Sequence, residues 1–511
     1  MSLKSVSLEK GSEDLEIIPV TRKNVYRSEV DTSGIDERQL LRRIDLYTVP
    51  WLSILYCLSF LDRSNIGNAK LYGMTTDLHI SDKQYLIALT VFFLPYSFFE
   101  LPSNIVLRKL RPSRWLAFIV LVWGIMMTLH GVVHNFAGLA VVRSLLGIAE
   151  AGLYPGIIYY LSCWYKRSER GTRIAVFFSS ATIAGAFSGF LAVAIEKMDG
   201  VGGKPGWAWI FIIEGLFTVC CAVPSFWIIQ DFPDTATFLT ETERVWVVRR
   251  LQDDMTFGSG REVFKLKYVK QSLTDWKTWC ACESYTLVFA GQSFLTRLDI
   301  HQWVFTWASS FCHYLCFAGN LIDVSDGPVY AFAIFTPTII NQVTVQRHSN
   351  EGSLTINPFI GYEANMANLL SAPVYIWACL VVIVVGIVGD RTGKRGCINL
   401  GLFGLGLIGY IILIISRNPS LSYFAVYFAV AGIYPVVSNS AAWMSNNVEG
   451  SYKRSATLGM IMGWANLQGA VSSNIVRSSV ISQDIMVINL HNSSSIAQRM
   501  HLGIALAMGS C

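Results

Sequence analysis

The chain has 511 residues, of which 52% are hydrophobic and 15% charged, and its formal net charge is +5. A soluble protein of this length would not need so little charge and so many aromatic residues. The basic residues form short clusters between apolar runs, as in membrane proteins, and not the stripe that binds nucleic acid. The eleven cysteines, mostly inside apolar runs, are interpreted as packing residues and not as disulfides.

The first half of the chain contains six apolar runs of roughly the length that crosses ~30 Å of hydrocarbon. Residues 1–44 are polar and mixed in charge, which predicts a disordered cytosolic tail and no cleaved signal peptide. An N-terminal six-helix half is expected over residues 45–229. Its predicted spans are about Leu46–Phe60, Tyr85–Leu107, Trp115–Val133, Ala137–Tyr165, Ile174–Ile195 and Trp207–Ile229.

A hydrophilic stretch over about residues 230–279 is predicted to be a cytosolic linker. It contains an amphipathic helix, because Thr240 followed by Glu243 is a capping-box pattern. The C-terminal half, residues 280–511, has apolar runs at about Gly327–Ile340, Ala367–Val388, Ile398–Ile415, Tyr423–Met444 and Leu458–Ile475. Basic loops alternate with neutral ones, which predicts that both termini and the linker are cytosolic. Two such halves with a site between them are typical of a secondary transporter.

The fourth predicted span contains two ionisable residues, Arg143 and Glu150, seven positions apart. Seven residues are close to two helical turns, so both side chains should project from one face, about 10 Å apart along the axis. Gly147, Gly152 and Gly156 suit a helix that packs closely on a neighbour. A charge inside a span costs at least ~2.5–3.5 kcal/mol, which favours a functional role. The alternative is an ion pair that only holds two helices together.

The segment GIVGDRTGKRG, Gly386–Gly396, resembles the signature cytoplasmic loop GxxxDRxGRR of the major facilitator superfamily. The equivalent first-half segment, Pro102–Trp115, keeps the basic residues but lacks the Gly and Asp. That form is similar to fungal anion:cation symporters, the branch with allantoate, nicotinate, pantothenate and biotin permeases. Further segments that resemble this branch are Phe60–Met74, Arg143–Gly156, Asp231–Arg244, Asp326–Gln342 and Ser445–Ala470. The resemblance covers most of Leu41–Asn474.

The resemblance implies an all-α polytopic membrane protein with the major facilitator fold of two six-helix halves. Related organic-anion symporters use an Asp-Arg pair after the first span and an Arg-x6-Glu pair in the fourth. The matching residues imply proton binding by Asp62 and Glu150, and anion binding or coupling by Arg63 and Arg143. A low-dielectric site favours the protonated carboxyl and a nearby guanidinium opposes it. An anion that pairs with the arginine would therefore loosen its hold on the carboxylate and link the two uptakes.

Other polar residues inside the spans are weaker candidates. Glu214 can titrate in principle, but a tie between helices is the favoured interpretation. The predicted gate latch in the cytoplasmic loop is Lys394 with Arg395, which binds no substrate. Candidates for the pocket wall, with helix–helix hydrogen bonding as the alternative, are Asn65, Tyr154, Asn439, Trp443 and Asn466. The gate-loop residues are Gly386, Gly389, Asp390, Arg391, Gly393, Lys394 and Arg395.

Two parts of the chain depart from the family pattern. Residues 283–325 have no counterpart, and the alternatives are an insert outside the bilayer, a replacement for part of the seventh span, or translated non-coding sequence, which is favoured. After Asn474 the expected twelfth span is incomplete, since His501–Cys511 is too short to cross.

The predicted function is proton-coupled symport of a small organic anion, of the nicotinate, allantoate or vitamin-carboxylate class, into the cell. We expect a monomer in the lipid bilayer of the plasma membrane, driven by the proton gradient, with no cofactor, no metal and no nucleic-acid partner. An enzyme is not expected, because the sequence has no Ser/His/Asp arrangement, metal-ligand cluster or phosphate loop. The alternatives are an uncoupled facilitator or exchanger, a non-transporting nutrient receptor, and a non-functional truncated product.

Overall fold

The structure is a computed structural model that describes residues 26–27, 29–254, 266–275, 278, 364–415, 419–448 and 450–467. Within these ranges the regular elements are helices, and eight helical spans, with residues 136–162 counted as one, are long and apolar enough to cross a membrane. The predicted span Gly327–Ile340, the segment 283–325 and the expected twelfth span lie outside the described residues.

The helices follow the predicted order. In the first half they are α1 Glu37–Leu71, α2 Met74–Asp77, α3 Asp82–Lys109, α4 Pro112–His130, α5 Phe136–Glu150, α6 Leu153–Ser162, α7 Arg170–Glu196 and α8 Gly206–Ile228. The linker contributes α9 Glu241–Asp253 and α10 Leu266–Thr274. The second half contributes α11 Ala364–Thr392, α12 Arg395–Ile415, α13 Pro419–Asn447 and α14, which covers residues 451–467.

The first span is longer than its apolar run indicates. Asp36 caps α1 by accepting hydrogen bonds from the backbone N–H groups of Arg38 and Gln39. Residues 37–44, assigned to the tail from the sequence, therefore form the start of α1. At its other end the helix continues through Asp62 and Arg63 to Leu71, so these two charged residues lie inside the helix.

The fourth predicted span is a helix with a break. It ends at Glu150 and resumes as α6 at Leu153, with Gly152 between them at φ +85°, in the left-handed region that glycine adopts without strain. Arg143 and Glu150 both belong to α5, as predicted, and Glu150 is its last residue. The capping box predicted for the linker is also present, since the Thr240 and Glu243 side chains each bond the other's backbone N–H.

Helix packing within the first half joins α4 to α8, α3 to α5 and α1 to α7. The two halves meet where α7 packs on α11 and α13. Gly386 permits this approach, because a Cβ atom there would collide with Ala175 of α7. The linker helix α9 is tied to the first half, where Arg250 pairs with Glu37 at 3.0 Å and with Glu169. The halves are thus joined through α7.

Replacing Gly147 by alanine should destabilise the protein, because a Cβ atom there would collide with the backbone carbonyl of Phe92 in α3. A backbone atom inside a helix cannot move aside, so we expect a loss of about 1–3 kcal/mol. The matched control is Gly404→Ala on α12, where a Cβ atom meets nothing within 4 Å. Thermal unfolding of the two variants in detergent, followed by size-exclusion chromatography, makes the comparison. An equal or higher midpoint for Gly147→Ala would contradict the α3–α5 packing.

Candidate functional site

Glu150 forms a buried ion pair with Arg63 of α1. Its Oε1 accepts hydrogen bonds from Nε of Arg63 at 2.9 Å and from the Ser59 hydroxyl, and Nη2 of Arg63 lies 2.9 Å away. Nη2 also donates to the Tyr96 hydroxyl at 2.8 Å. Glu150 is 1% exposed, so this pair lies in a low-dielectric environment and ties α1 to α5. The ion-pair partner of Glu150 is thus Arg63 of α1.

Arg143 is buried without such a partner. Its Nε and Nη2 make no hydrogen bond within the part of the chain that the structure describes. The guanidinium lies 5.8 Å from the centroid of the Phe92 ring, which provides a cation–π contact. Asp62 and Glu150 act on Arg143 through space without an ion pair to it. A buried guanidinium with unused donors is a ready receptor for a carboxylate.

Asp62 is 2% exposed, and neither of its carboxylate oxygens accepts a hydrogen bond of normal geometry among the described residues. The buried Trp123 indole of α4 lies near this carboxylate, but its N–H is not in hydrogen-bonding geometry with either oxygen. Asp62 therefore differs from Glu150, whose charge is compensated directly by a guanidinium.

Asn65 lies one turn beyond Asp62 on α1. Its Nδ2 donates to Oε2 of Glu214 on α8 at 2.6 Å. This bond joins α1 to α8. Asn65 therefore makes a hydrogen bond between helices, and Glu214 makes the contact between helices that is the favoured interpretation of its sequence position. Both side chains are buried. Helices α1, α5 and α8 thus gather three carboxylates and two guanidiniums, contributed by Asp62, Glu150, Glu214, Arg63 and Arg143.

The remaining pocket candidates lie in different surroundings. Tyr154 belongs to an aromatic cluster and stacks on Tyr56 with 5.3 Å between ring centroids. Trp443 is partly buried against the hydrophobic core. Asn466 of α14 donates from Nδ2 to Oε1 of Glu100 on α3 at 3.1 Å, a contact between the two halves. Asn439 lies with the gate-loop residues.

Sequence reasoning missed Glu100, which is fully buried on α3. The available signal was a lone carboxylate inside the predicted span Tyr85–Leu107. It also missed Ser59 and Trp123, which carry no charge and therefore give no signal in an apolar run. Among the described residues no cluster of side chains could hold a metal ion.

Asp390 joins the gate loop to the other half. Its carboxylate accepts hydrogen bonds from the backbone N–H groups of Gly171 at 3.0 Å and Thr172 at 2.6 Å, and from the Thr172 hydroxyl at 2.6 Å. These amides belong to the first turn of α7, where backbone donors lack partners within the helix and an anion is favoured. Asp390 also pairs with Arg395, which donates to Oδ1 of Asn439 at 2.8 Å. The latch is thus Asp390, Arg395, Asn439 and the start of α7.

The other gate-loop residues shape the latch or lie outside it. Gly393 has φ +67°, where glycine is favoured. A Cβ atom on Gly389 would lie 2.8 Å from Oδ1 of Asn439, so this position needs a glycine for close packing. Arg391 and Lys394 are exposed. Of the two residues predicted as the latch, the structure places Arg395 in it and Lys394 on the surface.

A second buried arginine locks the halves at the same end of the bundle. Arg170 donates to the backbone carbonyl of Ser445 at 3.0 Å and to Oδ1 of Asn446 at 2.9 Å, both at the end of α13. It also donates to backbone carbonyls at the end of the fourth span, those of Ser162 and Tyr165. We call this end, which carries the basic loops 108–114, 166–173, 390–396 and 450–454, the basic end.

The sequence profile of the Major Facilitator Superfamily matches residues 52–475. The chain belongs to this superfamily. The predicted fold class and the predicted family are therefore confirmed, and the chain is an integral membrane transporter of a family whose members are not in general enzymes.

Relatives and solved structures agree with this assignment. The MFS-type transporter cnsO of Penicillium expansum is 34% identical over 458 residues, which cover 88% of this chain and 78% of the relative. An uncharacterised transporter of Schizosaccharomyces pombe is 33% identical over 460 residues, covering 90% and 80%. A bacterial homologue of the human lysosomal transporter Spinster, in an inward-facing and unoccupied conformation, is 14% identical with a TM-score of 0.54, covering 89% and 86%. The xylose transporter XylE of E. coli is 10% identical with a TM-score of 0.52, covering 85% and 91%.

Asp390→Asn should open the superfamily transporter at the basic end. The variant loses a carboxylate that accepts charge-assisted hydrogen bonds, each contributing about 1.5–3 kcal/mol, so the population should shift roughly tenfold or more. Ser455, 1% exposed and bonded to the Asn104 carbonyl in the other half at 2.8 Å, reports the opening when replaced by cysteine in a cysteine-free background. Maleimide should label it faster in Asp390→Asn.

The control for this latch variant is Asp82→Asn. Asp82 is the first residue of α3, at the end of that helix away from the basic end, and its exposed carboxylate lies 3.1 Å from Lys70 of α1. Its labelling rate should equal that of the parent protein. Equal rates for the Asp390 and Asp82 variants would show that Asp390 does not hold the halves together.

Proposed function

We propose that this transporter is a proton-coupled symporter that carries a small organic anion into the cell. The observation that carries the proposal is that two buried charged groups near each other lack hydrogen-bond partners among the described residues. Arg143 lacks them on two nitrogens of its guanidinium, and Asp62 lacks them on both carboxylate oxygens. The first is suited to an anion and the second to a proton. Such groups inside a span are costly and are retained for substrate and proton pathways.

The proposed coupling acts through the field of Arg143. Before the anion arrives, the positive charge of Arg143 opposes the uptake of a proton by the carboxylates near it. A bound carboxylate cancels that charge, so protonation of the neighbouring carboxylates becomes more favourable. At an effective dielectric constant of about 20, unit charges ~6 Å apart interact by roughly 3 kcal/mol, which is enough to link the two events.

The site also supports a substrate class. One guanidinium with unused donors suits an anion with a single carboxylate, and the Phe92 ring beside it suits a flat ring. A pyridine carboxylate such as nicotinate is therefore the first candidate, followed by allantoate and vitamin carboxylates. We propose that the protein works as a monomer in the plasma membrane with its basic end in the cytosol, driven by the proton gradient without a cofactor.

Asp62→Asn and Glu150→Gln should each remove the acid stimulation of uptake, because each variant loses a proton acceptor next to Arg143. Cells expressing the chain would be given labelled nicotinate, allantoate and pantothenate at acid and neutral external pH. The parent should take up one of them several-fold faster at acid pH, since the inward proton gradient is then larger. The matched control is Asp82→Asn, the same chemical change at an exposed carboxylate at the start of α3.

The outcomes of this uptake panel separate the alternatives. Uptake that is the same at both pH values supports an uncoupled facilitator or exchanger. A chain that reaches the surface and takes up none of the three anions supports a nutrient receptor of the same fold. Acid stimulation that survives in Asp62→Asn and in Glu150→Gln would refute the proton-coupling roles.

Arg143→Gln should raise the KM for the anion at least tenfold, because charge-assisted hydrogen bonds to a carboxylate contribute about 1.5–3 kcal/mol. Arg143→Lys should recover only part of the affinity, since an ammonium lacks the planar fork of donors. The control is Arg111→Gln, whose side chain is 67% exposed and lies 3.8 Å from Asp231. A KM that is unchanged in Arg143→Gln would exclude Arg143 as the anion receptor.

A further inference from the structure

We infer that the carboxyl groups of Asp62 and Glu214 form an acidic pair that shares one proton in the empty transporter. The role of this acidic pair in coupling rests on the proposed function. It goes beyond that function by making Glu214 a proton-handling residue in addition to a tie between α1 and α8.

Both carboxyl groups lie against one face of α1. Asp62 and Asn65 are three residues apart on α1, so their Cβ atoms are neighbours on one face, about 5–6 Å apart. Asn65 reaches Oε2 of Glu214 at 2.6 Å, which brings Glu214 against that same face. Asp62 is 2% exposed and Glu214 is 4% exposed. Neither group is within reach of bulk water.

No cation is bonded to either member of the acidic pair within the described residues. Both oxygens of Asp62 and Oε1 of Glu214 lack a hydrogen-bond partner there. Glu214 lies close enough to Asp62 for the two groups to interact through space. Two neighbouring carboxylates at low dielectric do not both stay ionised, so they bind protons as a unit.

The other groups around Glu214 do not supply the missing positive charge. From α1 the thiol of Cys57 faces it, together with Asp62 and Asn65. From α4 the His130 ring stacks on Phe211 of α8 at 5.3 Å and bonds the Met126 carbonyl through Nδ1 at 2.9 Å. Helix α7 also packs on α8, and none of its described ionisable side chains acts on Glu214.

The charges of the whole cluster lead to the same conclusion. The three carboxylates of Asp62, Glu150 and Glu214 and the two guanidiniums of Arg63 and Arg143 have a net charge of −1 when all are ionised. One shared proton makes the empty cluster neutral, which is the form that a low-dielectric site favours. An arriving anion returns the cluster to −1, and a second proton on the acidic pair restores neutrality. The pair thus links one anion to one proton.

The test is infrared spectroscopy of the purified, full-length protein at neutral pH without anion. The carbonyl band of protonated carboxyl groups should lose the area of one group in Glu214→Gln, and the same area in Asp62→Asn, because the remaining member can ionise once its neighbour is neutral. Gln at position 214 retains an oxygen that can accept from Asn65. The control is Glu100→Gln. Glu100 is another buried carboxylate that accepts a hydrogen bond from an asparagine amide, and its replacement should leave the carbonyl band of the Asp62–Glu214 pair in place.

A band that persists in Glu214→Gln, or that neither variant changes, would overturn the acidic pair. The uptake panel gives an independent result. Acid-stimulated uptake with a persistent band would refute the pair and leave symport standing. Loss of the band in both variants, with no uptake of any tested anion, would support the pair and refute symport.

Discussion

Charge buried at low dielectric must be compensated, and this constraint organises the first half of the transporter. Arg63 compensates Glu150 across α1 and α5, and Asn65 holds Glu214 across α1 and α8. Each contact constrains the rotation of two helices, because both side chains must point at each other. Removing one partner of the buried Arg63–Glu150 ion pair would cost about 3–5 kcal/mol. Once these contacts are made, Asp62 and Arg143 are left close together with unused hydrogen-bonding capacity. These are the two residues to which the proposed function assigns the proton and the anion.

The latch uses the same chemistry in a form that can be reversed. Asp390 is compensated by the amides of the first turn of α7 and by Arg395, and α7 in turn packs on α1, which carries Asp62 and Arg63. Hydrogen bonds exchanged for water contribute only about 0.5–1.5 kcal/mol net when neutral, and somewhat more when charged. A latch built from a few of them can be opened by the binding energy of a substrate, whereas a hydrophobic seal of the same area would resist opening. One helix therefore connects the site to the contact that holds the halves together.

The spans were predictable because hydropathy over about twenty residues follows directly from the thickness of the bilayer. The pairings were not. Periodicity gives the face of one helix and not the rotation of its neighbours, so it does not reveal that the partner of Glu150 is Arg63 of α1. The predicted first span is also shorter than α1, because Asp62 and Arg63 lower the mean hydropathy of the sequence although both lie inside the helix. The partners of Asp390 are backbone amides, which every residue has and no motif records.

The proposed coupling depends on which arginine forms the ion pair with Glu150, and that arginine is Arg63. If an anion had to take the arginine away from the carboxylate, it would have to break the Arg63–Glu150 pair and strand Glu150 beside Ser59, at a cost of about 3–5 kcal/mol. In the proposed mechanism Arg143 receives the anion without breaking any ion pair among the described residues, and the cancelled charge then acts on Asp62 and Glu150 through space. Coupling by field needs no exchange of partners. It requires only that the carboxylates and the anion share one low-dielectric volume, which is the arrangement that α1, α5 and α8 provide.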